Sequence, residues 1–525
     1  MAVGSAVIVA AGVVAIRSTE LSSLEVTGIA DGQELSRGEL EDVRIVIDRD
    51  GLAAGDVRVE LNGTELPTVE EDGELVARLS TVNEGENALV VSMDGKLFLG
   101  GEQVERRFVV TPAGPDIYAP DEVVVALPGQ VMELRAMAPG AVSVTANGTA
   151  VTLEPGGAFT TDVAPNAGSV RLEAVDAAGN SNVVTVQVTD DPAAPAYPPT
   201  TAVRISAAAW SDPAFRQPII DLARAGKINA VELDIKDENG EVGYASAVPL
   251  ATTIGSARSY YDAAAAVDEL HALGVRVIGR IVCFLDPLLA GWAWSNQRPE
   301  LTVLNATGSA PLASNYGSAA FTNLANAEVR QYQIDLAREA VGHGFDEILY
   351  DYVRRPEGDL STMAFVGLDA GMTPEVAVAK FVAETEEQID EVDPDAMLGI
   401  SVFGISATRP EQIAQDIRLM APHVDYVSPM VYPSHWGPGE YGVPDPVRQP
   451  AEIVERSVLD FQRVVAGSGA AVVPWLQDFT YGGVAYGPAE VTAQIDAAMG
   501  SGARGFLLWN PGSTYHVEVL DRPTS

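Results

Sequence analysis

After residue 199 the chain is written as eight apolar runs separated by Ala-rich, amphipathic stretches, and that rhythm leaves few folds open. The runs are Ala202–Ala208, Ile228–Ile235, Val275–Phe284, Glu347–Val353, Leu398–Gly404, Tyr426–Tyr432, Val472–Phe479 and Gly505–Trp509. Helices are predicted between them, among them Pro218–Ala225, Ala263–Leu273, Val329–Val341 and Pro374–Glu391. Gly226, Gly274 and Gly344 stand where such a helix must turn left-handed before the next strand. Eight βα pairs over residues 200–525 predict a closed (β/α)8 TIM barrel. A doubly wound open sheet is the alternative, disfavoured because no Gly-rich phosphate loop follows the first run.

The first half of the chain has a different rhythm. Segments such as VRIVIDRDG, VRVELNGTEL and NALVVSMDG alternate apolar and polar residues and end in Asp-Gly or Asn-Gly turns. The pattern recurs in VSVTANGTAV, SVRLEAVDAAGN and VVTVQVTDD, with Asn62-Gly63-Thr64 and Asn147-Gly148-Thr149 at comparable turns. Two immunoglobulin-like β-sandwiches are predicted, over residues 21–112 and 113–190, with a Pro-rich linker at 191–199. They carry no obvious nucleophile or metal cluster, so they read as spacers or as carbohydrate-binding modules. Residues 2–16 form an uncharged apolar run closed by Arg17, too short for the roughly 18–20 residues of a spanning helix. Residues 1–20 are therefore expected to be a signal peptide or a membrane anchor, and the protein extracellular or on the cell surface. A buried strand or helix is the other reading of this run.

The net charge is −41, with only four Lys among the 32 basic residues. So acidic a surface repels phosphate backbones and argues against nucleic acid as a partner. It suits a salt-tolerant protein, or equally a GC-rich coding bias. The lone Cys283 forbids an internal disulfide and reads as a small buried apolar group. The five His residues (271, 343, 423, 435, 516) lack metal-ligand spacing, so neither metal nor cofactor is expected. Asp234, Asp237, Asn239 and Glu241 could line a cation in a metal-dependent enzyme, but Asp237-Glu-Asn-Gly240 is an ordinary turn sequence. Nothing in the sequence fixes an oligomeric state.

Barrel enzymes work at the C-terminal ends of their strands, so polar residues there are the candidates. Strand two sends Glu232, Asp234 and Lys236 to the face opposite Val231, Leu233 and Ile235. Strand three carries Arg280 in an apolar run and Asp286 just beyond it; strand four ends in Asp351, Tyr352 and Arg354. Charges in apolar strands are costly unless paired or useful. Asp234, Arg280 and Asp351 are thus either an ion network that fixes the barrel or a set of groups poised beside a sugar ring. Later strands end in Tyr432, His435 and Trp436, in Gln477 and Asp478, and in Trp509 and Asn510. Aromatic rings beside amides and acids suit the faces and hydroxyls of a saccharide.

The blocks INAVELDIKDENGEV, GVRVIGRIVCFLDPLLA, GFDEILYDYVRRP, DYVSPMVYPSHW, PWLQDF and LLWNP, in this order, resemble the glycosyl hydrolase-like domain family DUF4015. The resemblance covers about residues 200–516 and implies a TIM barrel related to α-amylase-like barrels that hydrolyses glycosidic bonds. It places Asp351 where such barrels carry their nucleophile, and matches Asp234, Arg280 and Asp478 to polar positions of the family. Asp351 is accordingly expected as nucleophile or base, Asp478 as the preferred general acid, and Asp234 as the substitute for either. Arg280 would lower the pKa of its carboxylate neighbour while apolar walls raise that of the acid. Arg280, Glu232, Asp286, Tyr352, Arg354, Tyr432, His435, Trp436, Gln477, Trp509 and Asn510 are expected to bind a polysaccharide or oligosaccharide. The chain departs from the family pattern at Arg355, at Phe321-Thr322-Asn323 and in strand five, which has no Glu. The alternative function is a non-catalytic saccharide-binding or cell-wall scaffold protein on a degenerate barrel.

Overall fold

The alternating segments of the first half form paired strands because each buries one face and wets the other. The computed structural model describes residues 25–35, 43–48, 57–71, 74–79, 82–83, 85–93, 102–110, 114–119, 122–124, 132–163, 168–189, 197–369 and 371–521. The apolar run 2–16 and most of the expected linker lie outside them. The chain divides into two compact units, 1–114 and 115–525.

In the first unit a four-stranded sheet (Glu25–Thr27, Arg44–Asp48, Glu74–Arg78, Thr68–Glu71) accompanies a five-stranded one. Both feed one apolar core: Ile45, Ile47 and Leu75 come from the first sheet, Val59, Leu89 and Phe108 from the second. The turn at Asn62 (φ 51°) and Gly63 (φ 81°) joins Val57–Leu61 to Thr64–Glu65, as its Asn-Gly sequence demands.

The second unit begins with a smaller β module that repeats this device. Asn147 (φ 49°) and Gly148 (φ 77°) turn Ser143–Ala146 into Thr149–Val151. In both turns the Asn Oδ1 accepts a neighbouring strand's N–H at 2.9 Å, from Ala88 and from Arg171. The module is not a free spacer. Its Tyr118, Met137 and Ala158 belong to the barrel's outer core, Lys380 donates to the Tyr118 hydroxyl at 2.6 Å, and Arg135 pairs with Asp416 at 3.2 Å.

The barrel strands are β1 (Thr200–Ile205), β2 (Ala230–Lys236), β3 (Arg276–Val282), β4 (Glu347–Asp351), β5 (Met397–Phe403), β6 (Tyr426–Met430), β7 (Ala471–Val472 and Trp475–Gln477) and β8 (Gly505–Trp509). They are all parallel, and β8 pairs with β1 as well as β7, so the sheet closes. The open-sheet alternative is thereby excluded. The break in β7 falls at Val473-Pro474, where proline cannot donate to the ladder. Outward residues such as Val231, Leu233 and Ile235 pack under the helices. Inward ones, among them Ala202, Ile278, Leu349, Tyr426, Trp475 and Leu507, fill the lumen, so the barrel is a packed core and not a pore. Tyr197 closes the lower end: its hydroxyl donates to Glu347 at 2.7 Å and its ring meets Tyr426 at 4.4 Å. The barrel therefore starts within the stretch expected as linker.

Candidate active site

Period-two geometry places Glu232 and Asp234 in the lumen, but it fails at the next step of β2. The register against β3 shifts between Asp234 and Lys236. Lys236, expected in the lumen, instead lies over the Tyr332 ring at 5.3 Å and pairs with Asp286 at 2.7 Å. Beyond the bulge, Asp237 organises a turn by accepting from the N–H groups of Asn239 and Glu241. Gly240 (φ 84°) packs so close to Asp286 that an added Cβ would fall 2.3 Å from Oδ1. The turn is thus pressed against the next loop, and this fixes Glu238.

Arg280 is the hub of the mouth. Its Nε donates to Asp351 Oδ2 at 2.9 Å, and its Nη2 to the same oxygen at 2.5 Å. That Nη2 also donates to Glu238 Oε1 at 2.5 Å, while Nη1 donates to Asp234 Oδ1 at 3.0 Å. Arg204, from β1, holds the other side of Asp234, and its guanidinium lies 4.3 Å from the Trp509 ring centre. Asp351 and Glu238 oxygens 2.5 Å from one nitrogen are no more than about 5 Å apart.

The environments separate these acids. Burial raises Glu232 well above the carboxylate range, with Asp234 beside it adding to the effect; both its oxygens lack a hydrogen-bond partner. Burial raises Asp351 as well, against the pull of Arg280. Burial also raises Glu238, but Arg280 and Arg204 outweigh it and bring the group down to about 2. The Asp351 side chain is 5% exposed and that of Glu238 35%, so Glu238 is the acid facing solvent. Arg280 lowers a carboxylate as the sequence suggests, but the one brought below its ordinary value is Glu238.

Tyr352, next to Asp351, sits at φ 48°, a conformation that costs a bulky residue on the order of 1–3 kcal/mol. Its N–H donates to Asp351 Oδ1 at 2.7 Å, so the strained turn fixes the carboxylate. Its hydroxyl lies 3.3 Å from that of Tyr316. Tyr316 lines a cavity of about 810 Å³ built from the segments after β3, β4, β5 and β6, with Glu357, Phe403, His435 and Trp436 among its walls. Asp351 and Arg280 are not among its lining residues. Tyr432, just beyond β6, is buried, which with the Asp351 charge raises its hydroxyl pKa, and its ring lies edge-on to the cavity residue His435 at 4.9 Å.

Residues 202–515 match the family described as "Putative glycosyl hydrolase domain". The chain belongs to that family. Among solved structures it is similar to a hypothetical protein from Ruminiclostridium thermocellum, at 31% identity over 38% of this chain and 96% of the other, TM-score 0.33. It is also similar to an endo-β-1,4-mannanase from Thermotoga petrophila, at 12% identity over 62% and 75% of the two chains, TM-score 0.42. A third is an α-galactosidase from Thermus thermophilus, at 14% identity over 82% and 94%, TM-score 0.39. No curated protein matches the chain.

Several family positions serve the scaffold. Asp478, expected as the general acid, is fully buried; its Oδ1 lies 2.5 Å from His516 Nδ1 and its Oδ2 accepts the His516 N–H at 2.9 Å. Asp286 accepts from Lys236 and from the Leu289 N–H, capping the helix Pro287–Ser295, so it has no oxygen turned to a ligand. Gln477 bonds the Ser434 N–H and the Phe479 carbonyl, and Asn510 the Asp478 carbonyl and the Gly512 N–H. Trp509 backs Arg204 and meets Trp475 edge-on. Arg354 is buried among Phe321, Tyr352 and Phe403 and reaches Glu357 at 3.3 Å.

The departures from the family pattern also brace loops. Asn323 bonds the Glu300 and Val366 carbonyls, and Arg355 those of Pro356, Gly358 and Glu411. Sequence reasoning passes over Arg204 and Glu238. Arg204 was detectable by the criterion that finds Arg280, a charge inside an apolar strand. Glu238 hides in a turn whose sequence looks generic.

Proposed function

We propose that the protein is a glycoside hydrolase that cleaves a polysaccharide or cell-wall glycan, with Asp351 and Glu238 as its working carboxylates. The observation that carries this reading is their meeting on one Arg280 nitrogen, within about 5 Å of each other. Such closeness suits a retaining mechanism, for which carboxyl separations of about 5–5.5 Å are typical.

The roles follow from what each acid has left to offer. Asp351 has both oxygens engaged by N–H donors, which hold it in one orientation and support its reading as the nucleophile at the anomeric carbon. Glu238 is the more exposed and uses one oxygen on Arg280, so it is the member able to pass a proton to the leaving oxygen. Arg280 and Arg204 hold it near 2; a sugar hydroxyl that displaces the Arg280 contact raises Glu238 toward the range of a general acid. Asp351 then bonds to C1 as the glycosidic C–O bond breaks, and Glu238 protonates the leaving oxygen. Glu238 next takes a proton from water, whose oxygen displaces Asp351. Asp234 keeps Arg204 and Arg280 in place.

Placement outside the cytoplasmic membrane belongs to the same proposal, on the strength of the apolar run 2–16, with the first β module as an immunoglobulin-like spacer. The competing reading, a saccharide-binding protein, is favoured by β5, where the buried Ser401 hydroxyl accepts from Trp475 Nε1 and no acid reaches the mouth. Release of new reducing ends from a panel of polysaccharides, by the wild type and not by Asp351→Asn, decides between them. Glycan binding with no cleavage by the wild type would establish the competing reading.

A further inference from the structure

Glu232 lies one step deeper in the lumen than Asp234, on the same face of β2, and is fully buried. Neither of its oxygens meets a hydrogen-bond donor. Arg204 is the nearby cation, yet its Nε stands 3.8 Å from Glu232 Oε2, too far for a hydrogen bond. That guanidinium is turned to Asp234, to which both Nε and Nη2 donate. Arg280 is likewise spent on Asp234, Glu238 and Asp351.

Two guanidinium groups thus already face three carboxylates, those of Asp234, Glu238 and Asp351. A fourth anion here would be shut off from water, without a donor, and repelled by Asp234 beside it. The other titratable groups that bear on it are Tyr261, Tyr432 and Tyr515, whose hydroxyls burial keeps protonated and uncharged. A neutral Glu232 escapes the penalty. It then has one O–H to donate, and Asp234 is the acceptor within its reach.

We propose that Glu232 is a positioning residue of the hydrolytic site, a carboxylic acid whose O–H donates to Asp234 from inside the lumen and fixes the carboxylate that Arg204 and Arg280 share. The inference rests on the hydrolase reading above and adds to it a residue that touches neither sugar nor reacting atom. With Asp234 fixed, Arg280 keeps its reach to Asp351 and Glu238. Being uncharged, Glu232 also draws neither guanidinium away from the acids of the mouth.

The proton and the role are tested separately. All six Trp residues lie between positions 210 and 509, so tryptophan fluorescence of the full chain in urea reads the barrel. Burial holds the folded Glu232 acid well above 4.5, so its contribution to stability is complete below that pH and is lost as pH rises. The folding equilibrium constant of Glu232→Gln relative to wild type is therefore expected to grow about tenfold for each pH unit above about 4.5, until the folded acid itself titrates. Glu232→Met, which also cannot ionise, gives the same slope and serves if the glutamine variant does not fold. A ratio that stays constant, or that falls with pH as for a Glu232–Arg204 ion pair, overturns the proposal.

In turnover, Glu232→Met is expected to lower kcat about tenfold or more with little change in KM. The acid limb of its pH profile moves to higher pH, because Asp351 loses part of its support from Arg280. Glu232→Gln, which offers an N–H to Asp234, recovers most of that loss. Full kcat in Glu232→Met, or a loss that glutamine does not recover, equally overturns the proposal. The hydrolase reading falls on a different result, no cleavage by the wild type, and the urea curves still decide where the proton sits.

Discussion

Asp351 and Glu238, from the end of β4 and the loop after β2, accept hydrogen bonds of 2.5 Å from the same nitrogen of Arg280. The two acids are 113 positions apart in the chain. They meet because β2, β3 and β4 are neighbours in a parallel barrel whose strands all end at one mouth.

Replacing either acid by its amide tests the pair. Asp351→Asn is expected to lower kcat on the order of 10³-fold or more, and Glu238→Gln by about 10²–10⁴-fold, with circular dichroism unchanged. Wild-type turnover in Glu238→Gln would remove that residue from the chemistry.

The spacing also sets the stereochemical outcome. Proton NMR of the first product is expected to show retention of anomeric configuration. Inversion would mean that the two carboxylates do not act as a nucleophile and acid pair.

Asp478 is expected to behave as a structural residue. Asp478→Asn weakens its contacts with His516 and costs about 1–3 kcal/mol of stability, while kcat of the remaining folded enzyme changes little. A large fall in kcat without loss of stability would restore Asp478 as the acid.

The Glu238–Arg280 contact gives stability a defined pH dependence. Because the folded group is lowered from 4.5 to about 2, the contact stabilises fully above the ordinary glutamate range. It is lost as pH falls from about 4.5 toward about 2. The stability gap between wild type and Glu238→Gln is therefore expected to narrow across that window. A gap that is constant or widens in acid would contradict the assignment.

A packing prediction concerns the lower barrel. An added Cβ at Gly399 on β5 would fall 2.3–2.6 Å from three atoms of the Tyr426 ring. Gly399→Ala is expected to destabilise the protein by about 1–3 kcal/mol, read as a lower denaturant midpoint, because the buried ring has nowhere to move.

The order of strands and helices was legible in the residues because it rests on local periodicity. The eight runs, the Asn-Gly turns at Asn62 and Asn147, and Arg280 standing in an apolar strand all follow from short-range rules. Asp351 and Asp234 could be placed at the mouth by the same rules. The partnership of the acids was not legible. The bulge after Asp234 broke the alternation that had assigned Lys236 to the lumen, and it made Lys236 the partner of Asp286. Asp478 looked like an acid at a strand end, yet the fold brings His516 onto both its oxygens.

The sequence alone thus determined a parallel barrel preceded by β modules, because strand and helix patterns repeat within a few residues. Tertiary structure alone decided that the Glu238 and Asp351 carboxylates meet on Arg280, that Asp478 and Asp286 brace loops, and that the second β module joins the barrel unit. Those outcomes depend on the aim of side chains across a closed sheet. A register shift of one residue redirects them without changing any local pattern.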